Sequence, residues 1–178
     1  MQTTIAIPRP GADEYFEYYG KYIALVPGDD ALPTLASHIE SWQPALRKLS
    51  DVQGLHRYAA GKWSVKEVLN HIADGERVFA YRALRFARAD QTPLPGFDEN
   101  SWTPNAGSDR RTVADLVDEL VAVRAASVAL YRSLDLEALA RRGEANGKAI
   151  SVRALAWITA GHAIHHQGIL RERYGLGG

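Results

Sequence analysis

The chain has 178 residues, 21 basic and 21 acidic side chains, six histidines and no cysteine. That length makes one ordinary domain with enough apolar residues for a core. Zero net charge gives no reason to expect direct nucleic-acid binding, and the lack of Cys excludes disulfides, thiolate-bound zinc, iron–sulfur clusters and a Cys nucleophile.

Met1-Gln2-Thr3-Thr4 lacks the basic and apolar regions of a signal peptide, and no stretch approaches the roughly twenty apolar residues of a membrane span. A reducing, cytoplasmic setting is expected. Arginines cluster at Arg82, Arg85 and Arg88 and at Arg110 and Arg111, but interspersed acids make these read as solvated helix faces.

Residues 1–12, with Pro8, Pro10 and Gly11, form an irregular N-terminal arm ahead of a bundle domain over 13–178. The aromatic stretch 13–26 predicts a short extra helix closed by Pro27-Gly28, and its tyrosines read as packing residues. Leu32, Leu35, Ile39, Trp42, Leu46 and Leu49 recur at helical spacing and predict a first long helix, bent or broken at Pro44. A connection over 50–62 follows.

Ser64-Val65-Lys66-Glu67 is a capping box, with Trp63 and Val68 placed as a hydrophobic staple. It opens a helix through Leu69, Ile72, Val78, Phe79 and Leu84 to about Ala89. Residues 90–111 read as a long loop, a place where function often resides. Thr112 opens a third helix through Leu116, Leu120, Val123, Val128 and Leu130 to about Leu134. A shorter helical piece covers 135–141, and Asn146-Gly147 makes a turn. Ser151 caps the last helix, which ends at Gly175. Four long helices with almost no alternating pattern predict an all-α four-helix bundle.

The last helix carries Gly161-His162-Ala163-Ile164-His165-His166-Gln167. Leu155, Thr159, His162, His166, Ile169 and Arg173 share one face, so two imidazoles one turn apart interrupt the inward stripe. Buried imidazoles need partners, and a shared metal ion supplies one. His165 turns about 60° aside, onto a face with Ile158, Gly161 and Gly168 that permits close approach of another helix or subunit. Such a site usually needs a third protein ligand. Among His38, His56 and His71, the last lies on the inward face of a facing helix and is the favoured choice. Asp74, one turn on, is a candidate to orient an imidazole. The bland reading makes each of these a hydrogen-bonded core residue or a surface charge.

There is no Glu after His162, as the zinc proteases require, and no phosphate-binding loop, dinucleotide fingerprint or serine-hydrolase elbow. Neutral imidazoles leave a divalent ion its full charge, which suits activation of a thiol or of water. Zinc or nickel is favoured at such a site, with iron or manganese open.

The stretch from Tyr58 to Leu69, with Gly61-Lys62-Trp63-Ser64-Val65-Lys66-Glu67, followed by His71, Asp74 and Glu76, resembles the second helix of the DinB/YfiT-like superfamily. Asn146-Gly147, Ser151 to Leu155, Ala160 to His166 and Arg171-Glu172-Arg173-Tyr174 are similar to its C-terminal helix. Phe79 to Arg82 and Pro95 to Asp98 agree. The resemblance covers about residues 13–174. It implies an up-up-down-down type bundle, a divalent metal held by His71, His162 and His166, and a homodimer. It also implies an S-transferase that activates a low-molecular-weight thiol against an electrophilic substrate. A metal-dependent hydrolase using metal-bound hydroxide, with Asp74 or Glu76 as base, is the alternative; a non-enzymatic metal-binding stress-response protein is the third. Selectivity is expected in loop 90–111 and at the open end of the histidines.

Overall fold

The computed structural model describes residues 5–176, so the expectation about a leader at Met1 to Thr4 lies outside it. Four long helices make the frame: α2 (Ala31–Leu46), α4 (Val65–Ala87), α6 (Val113–Arg132) and α8 (Val152–Tyr174). Shorter helices are α1 (Gly20–Ile23), α3 (Asp51–Gly54), α5 (Glu99–Ala106) and α7 (Leu136–Ala140). Each long helix lies beside two others: α4 packs on α6 and α8, and α2 packs on the same pair. The expected four-helix bundle is the fold.

The long helices begin where the side chains of Asp30, Ser64, Thr112 and Ser151 accept first-turn amide hydrogens. Such a cap contributes about 1 kcal/mol, because those amides have no carbonyl partner inside the helix. At Ser64 the box is reciprocal, since Glu67 Oε2 accepts from the Ser64 amide at 2.7 Å. Pro44 sits in the last turn of α2 without breaking it.

The structure corrects three readings. The aromatic stretch is not one helix but two 3₁₀ turns, Ala12–Glu14 and Glu17–Tyr19, followed by the single turn of α1. The turn at Asn146-Gly147 closes an antiparallel hairpin of β1 (Arg142–Ala145) and β2 (Lys148–Ser151). Both turn residues have φ near +60°, at 53° and 69°, the geometry favoured in two-residue hairpins. Loop 90–111 contains α5 and a 3₁₀ turn, Ser108–Arg110. It is tied to the hairpin by Leu94, whose N–H donates to Glu144 O and whose carbonyl accepts from the Asn146 amide, both at 2.9 Å.

The apolar interior falls into two clusters. One gathers Ile7, Leu35, Phe79, Phe86, Tyr131 and Trp157. The other gathers Ile39, Trp42, Leu69, Ile72, Leu116 and Leu120. Between them along the helices lie Gly75 and Glu76 of α4, Arg124 of α6 and His162 of α8, all buried. The bundle is therefore apolar at both ends of its core with a polar layer across its waist.

Candidate metal centre

α4 brings His71 and α8 brings His162 and His166 to one point. His162 Nε2 lies 3.1 Å from Nε2 of His71 and 3.1 Å from Nε2 of His166. All three ligand atoms fall within 4.8 Å of one another. Nitrogens held about 2.0–2.1 Å from one ion in a tetrahedral set would stand about 3.3 Å apart, so the trio fits a single divalent ion. The packing makes room for it. A Cβ at Gly75 would lie only 3.0 Å from Cε1 of His162, so glycine lets that ring pack closely against α4.

The electrostatics match a ligand set. Burial pushes the imidazoles of His162 and His166 well below their ordinary range, and neighbouring charge would push them further, from His166 and His71 on His162 and from His71 and His165 on His166. Burial, then the field of His165, brings His71 to about 4. All three are neutral at neutral pH, leaving nitrogen lone pairs available. His166 Nδ1 is buried with no partner among the described residues.

The other candidates are placed elsewhere. Asp74 accepts from Asn70 Nδ2 at 2.6 Å and from Arg77 at 3.3 Å, and makes no hydrogen bond to His71 among the described residues. Glu76 takes both oxygens to Arg124, with contacts of 2.8 to 3.1 Å, and Arg124 also donates to Leu35 O. That pairing removes Glu76 as a free base. His38 bonds Gln167 at 2.8 Å, and His56 is exposed against Tyr174. His165 packs its ring 5.2 Å from Tyr22 and lines a separate groove with Trp42, Tyr58 and Gln167. The small face expected around Gly161 does receive a helix, α1. A Cβ at Gly161 would stand 2.0 Å from the Tyr22 carbonyl oxygen.

A cavity of about 320 Å³ opens over His71 and His162. Its walls are Phe16, Tyr18, Tyr19, Tyr22, Phe79 and Phe97, with Arg82, Glu99 and Asn146 as polar groups. Tyr22 and Phe79 stand edge-on to His162, at 5.5 and 5.6 Å between ring centres, and Trp63 lies 4.8 Å from His71. The tyrosines read as packing residues do pack, Tyr22 in the core with Tyr15 and Tyr19 against it, but Tyr18, Tyr19 and Tyr22 also form cavity wall; their crowding within 15–22 was the available signal. Arg82 also departs from expectation. It is buried rather than on a solvated face, because α4 turns it inward one turn after Phe79.

A helical bundle with three convergent imidazoles under an aromatic chamber defines a class of candidate metal centre. Residues 34–170 match the DinB superfamily, and the chain belongs to it. Over 58 residues it is 31% identical to a protein of Oceanobacillus iheyensis named "putative metal-dependent hydrolase". That match spans about a third of each chain, 32% here and 33% there. The fold resembles YfiT of Bacillus subtilis, described as "a probable metal-dependent hydrolase with an unusual four-helix bundle topology". The TM-score is 0.66 with 19% identity, over 94% of this chain and 90% of that one. It also resembles a mycothiol-dependent maleylpyruvate isomerase, with TM-score 0.63 and 15% identity, over 77% and 58% of the two chains. Among the described residues, no helix is long and apolar enough to cross a membrane.

Proposed function

We propose that the protein holds one divalent ion, zinc or nickel, on His71, His162 and His166 and uses it to transfer a low-molecular-weight thiol to an electrophile. The observation that carries the reading is the meeting of three neutral Nε2 atoms, two of them from histidines that line a walled chamber, His71 and His162. Three neutral ligands leave the ion its full charge, which acidifies a bound thiol and steadies the anion. The chain's own residues do the rest. Gly75 seats the His162 ring, and Tyr22 and Phe79 hold it edge-on. The aromatic walls exclude water and orient an apolar electrophile above the floor.

A thiol suits this floor better than water does. Water needs a base to take its proton, and the two carboxylates the sequence offered for that role are engaged, Asp74 with Asn70 and Arg77, Glu76 with Arg124; Glu99 is the carboxylate left on the chamber wall. A thiol ionises far more easily. The thiol-dependent isomerase that shares the fold supports this reading. The two relatives described as metal-dependent hydrolases favour the alternative, hydrolysis at the same centre.

The test pairs elemental analysis with turnover. The purified protein should carry about one equivalent of metal and a His162→Ala variant almost none. Loss of a chlorinated arene or an epoxide should require both metal and added thiol. Equal metal in both proteins would overturn the site, and ester cleavage without thiol would replace transfer by hydrolysis.

A further inference from the structure

The described core buries five charged residues: Glu14, Lys66, Glu76, Arg82 and Arg124. Four have an opposite charge within reach. Glu14 pairs with Arg153, Lys66 with Asp51, and Glu76 with Arg124. Arg82, 4% exposed, has no carboxylate partner among the described residues. Its Nη2 donates to the Pro95 carbonyl at 2.9 Å, its guanidinium stands 5.8 Å from the Phe97 ring centre, and the Tyr19 hydroxyl lies beside it. Those contacts occupy part of a five-donor fork. A buried guanidinium without an anion is costly, and this one lines the chamber above the histidines. Glu99 lines the same chamber but makes no ion pair with it.

We propose that Arg82 is the anion-binding end of the chamber, taking the carboxylate of a small ligand whose apolar body lies between Phe16, Phe79 and Phe97 and whose reacting end reaches the metal centre at His71 and His162. This deepens the reading of the metal centre and rests on it for the position of the reacting end. The helix supplies the spacing. His71 and Arg82 are eleven residues apart on α4, a rise of about 16 Å between their Cα atoms. A helical side chain leans back toward the N-terminus, so the guanidinium closes part of that gap. The cavity volume, about 320 Å³, lies at the small end of ligand sites. Guanidinium matches a carboxylate with two parallel hydrogen bonds, which gives direction as well as attraction.

The carboxylate has two possible sources, the electrophile or the thiol, and matched pairs of probes separate them. For the electrophile the pair is 3-phenylpropanoate and 3-phenylpropanamide; for the thiol it is N-acetylcysteine and its amide. Dissociation constants are measured by calorimetry on the metal-loaded protein and again after chelation. The acid of one pair should bind at least tenfold more tightly than its amide. That preference should persist after chelation, which separates Arg82 from a carboxylate resting on the metal. Arg82→Gln should abolish it with metal content unchanged, and Arg82→Lys should retain part of it. If Arg82→Gln does not fold, Arg82→Lys and the acid–amide comparison on the native chain still decide. No preference in either pair overturns the proposal. So does a preference that disappears with the metal, or one that survives Arg82→Gln. Metal content is read separately, so loss of the metal centre is distinguishable from loss of the anion site.

Discussion

The Glu76–Arg124 pair and the His71–His162–His166 cluster interrupt the same apolar interior, little more than one turn apart along α4. The first is complete in itself. Opposite charges meet in two parallel hydrogen bonds, and Leu35 O takes a further donor at 3.3 Å. The second gathers three groups of one kind, which repel if protonated and, when neutral, satisfy one another only in part, since each converging nitrogen offers either one N–H or one lone pair. Two polar clusters in one interior therefore differ in what they ask for. The ion pair asks for nothing outside the chain and serves the fold. The imidazoles ask for a cation, and the chamber above them asks for a substrate. Arg82 repeats the contrast, as a buried charge whose partner is not in the chain.

Breaking the self-sufficient cluster should cost the most. Glu76→Ala strands Arg124 in the core, and chemical denaturation should show a loss of about 3–5 kcal/mol. Losing less than about 1 kcal/mol would mean that the pair is dispensable.

The histidine cluster should show itself next through pH. An unfolded histidine titrates near 6.5, whereas folded His71 titrates near 4 and burial holds its two neighbours well below the ordinary range. As pH falls from 6.5 toward 4, the unfolded chain takes up protons that the folded one refuses. The metal-free protein should therefore lose stability in that window, on the order of 3 kcal/mol for His71 alone. Above 6.5 these groups contribute nothing. A flat stability curve between pH 6.5 and 4 would show that the imidazoles are not buried together.

Metal should act on one cluster only. An ion present at a hundred times its dissociation constant stabilises the fold by about 2.7 kcal/mol, which raises Tm by roughly 5–10 °C for a chain this size. Scanning calorimetry should show that rise in the native chain and none in His162→Ala.

Two smaller effects sharpen the boundary of the site. Gly161→Ala drives a methyl into the Tyr22 carbonyl, a backbone atom that moves only if α1 moves. It should cost about 1–3 kcal/mol while leaving metal stoichiometry unchanged, since it moves a wall and not a ligand. Asp74→Asn should change metal affinity less than about twofold, because its carboxylate bonds Asn70 and Arg77. A loss of 10–100-fold in a metal-binding titration is what an orienting partner would give, and would reverse that assignment.

Much of this was legible along the chain. The apolar repeat from Leu32 to Leu46, the Ser64–Glu67 box, the Thr112 cap and the Ser151 cap marked all four long helices. Helical phase separated His162 and His166 from His165. The hairpin was not legible, because its strands are four residues each and carry Gly143 and charges where alternation would be read. Helix α5 was hidden by Pro104 within it. Arg82 looked like one of a row of solvated arginines, since its spacing from Arg85 and Arg88 says nothing about which of them turns inward. Tyr18, Tyr19 and Tyr22 became cavity wall only because the chain breaks into tight turns there and folds across α8.

The sequence by itself determined the elements, the caps and the faces that histidines occupy, because these depend on interactions within a few residues. Only the tertiary structure decided which polar groups meet. Glu76 and Arg124 are 48 residues apart, and His71 and His162 are 91 apart. Whether a buried group is satisfied depends on what the other helices place within hydrogen-bond reach. It is that accounting, complete for Glu76 and incomplete for the three histidines and Arg82, that separates framework from site.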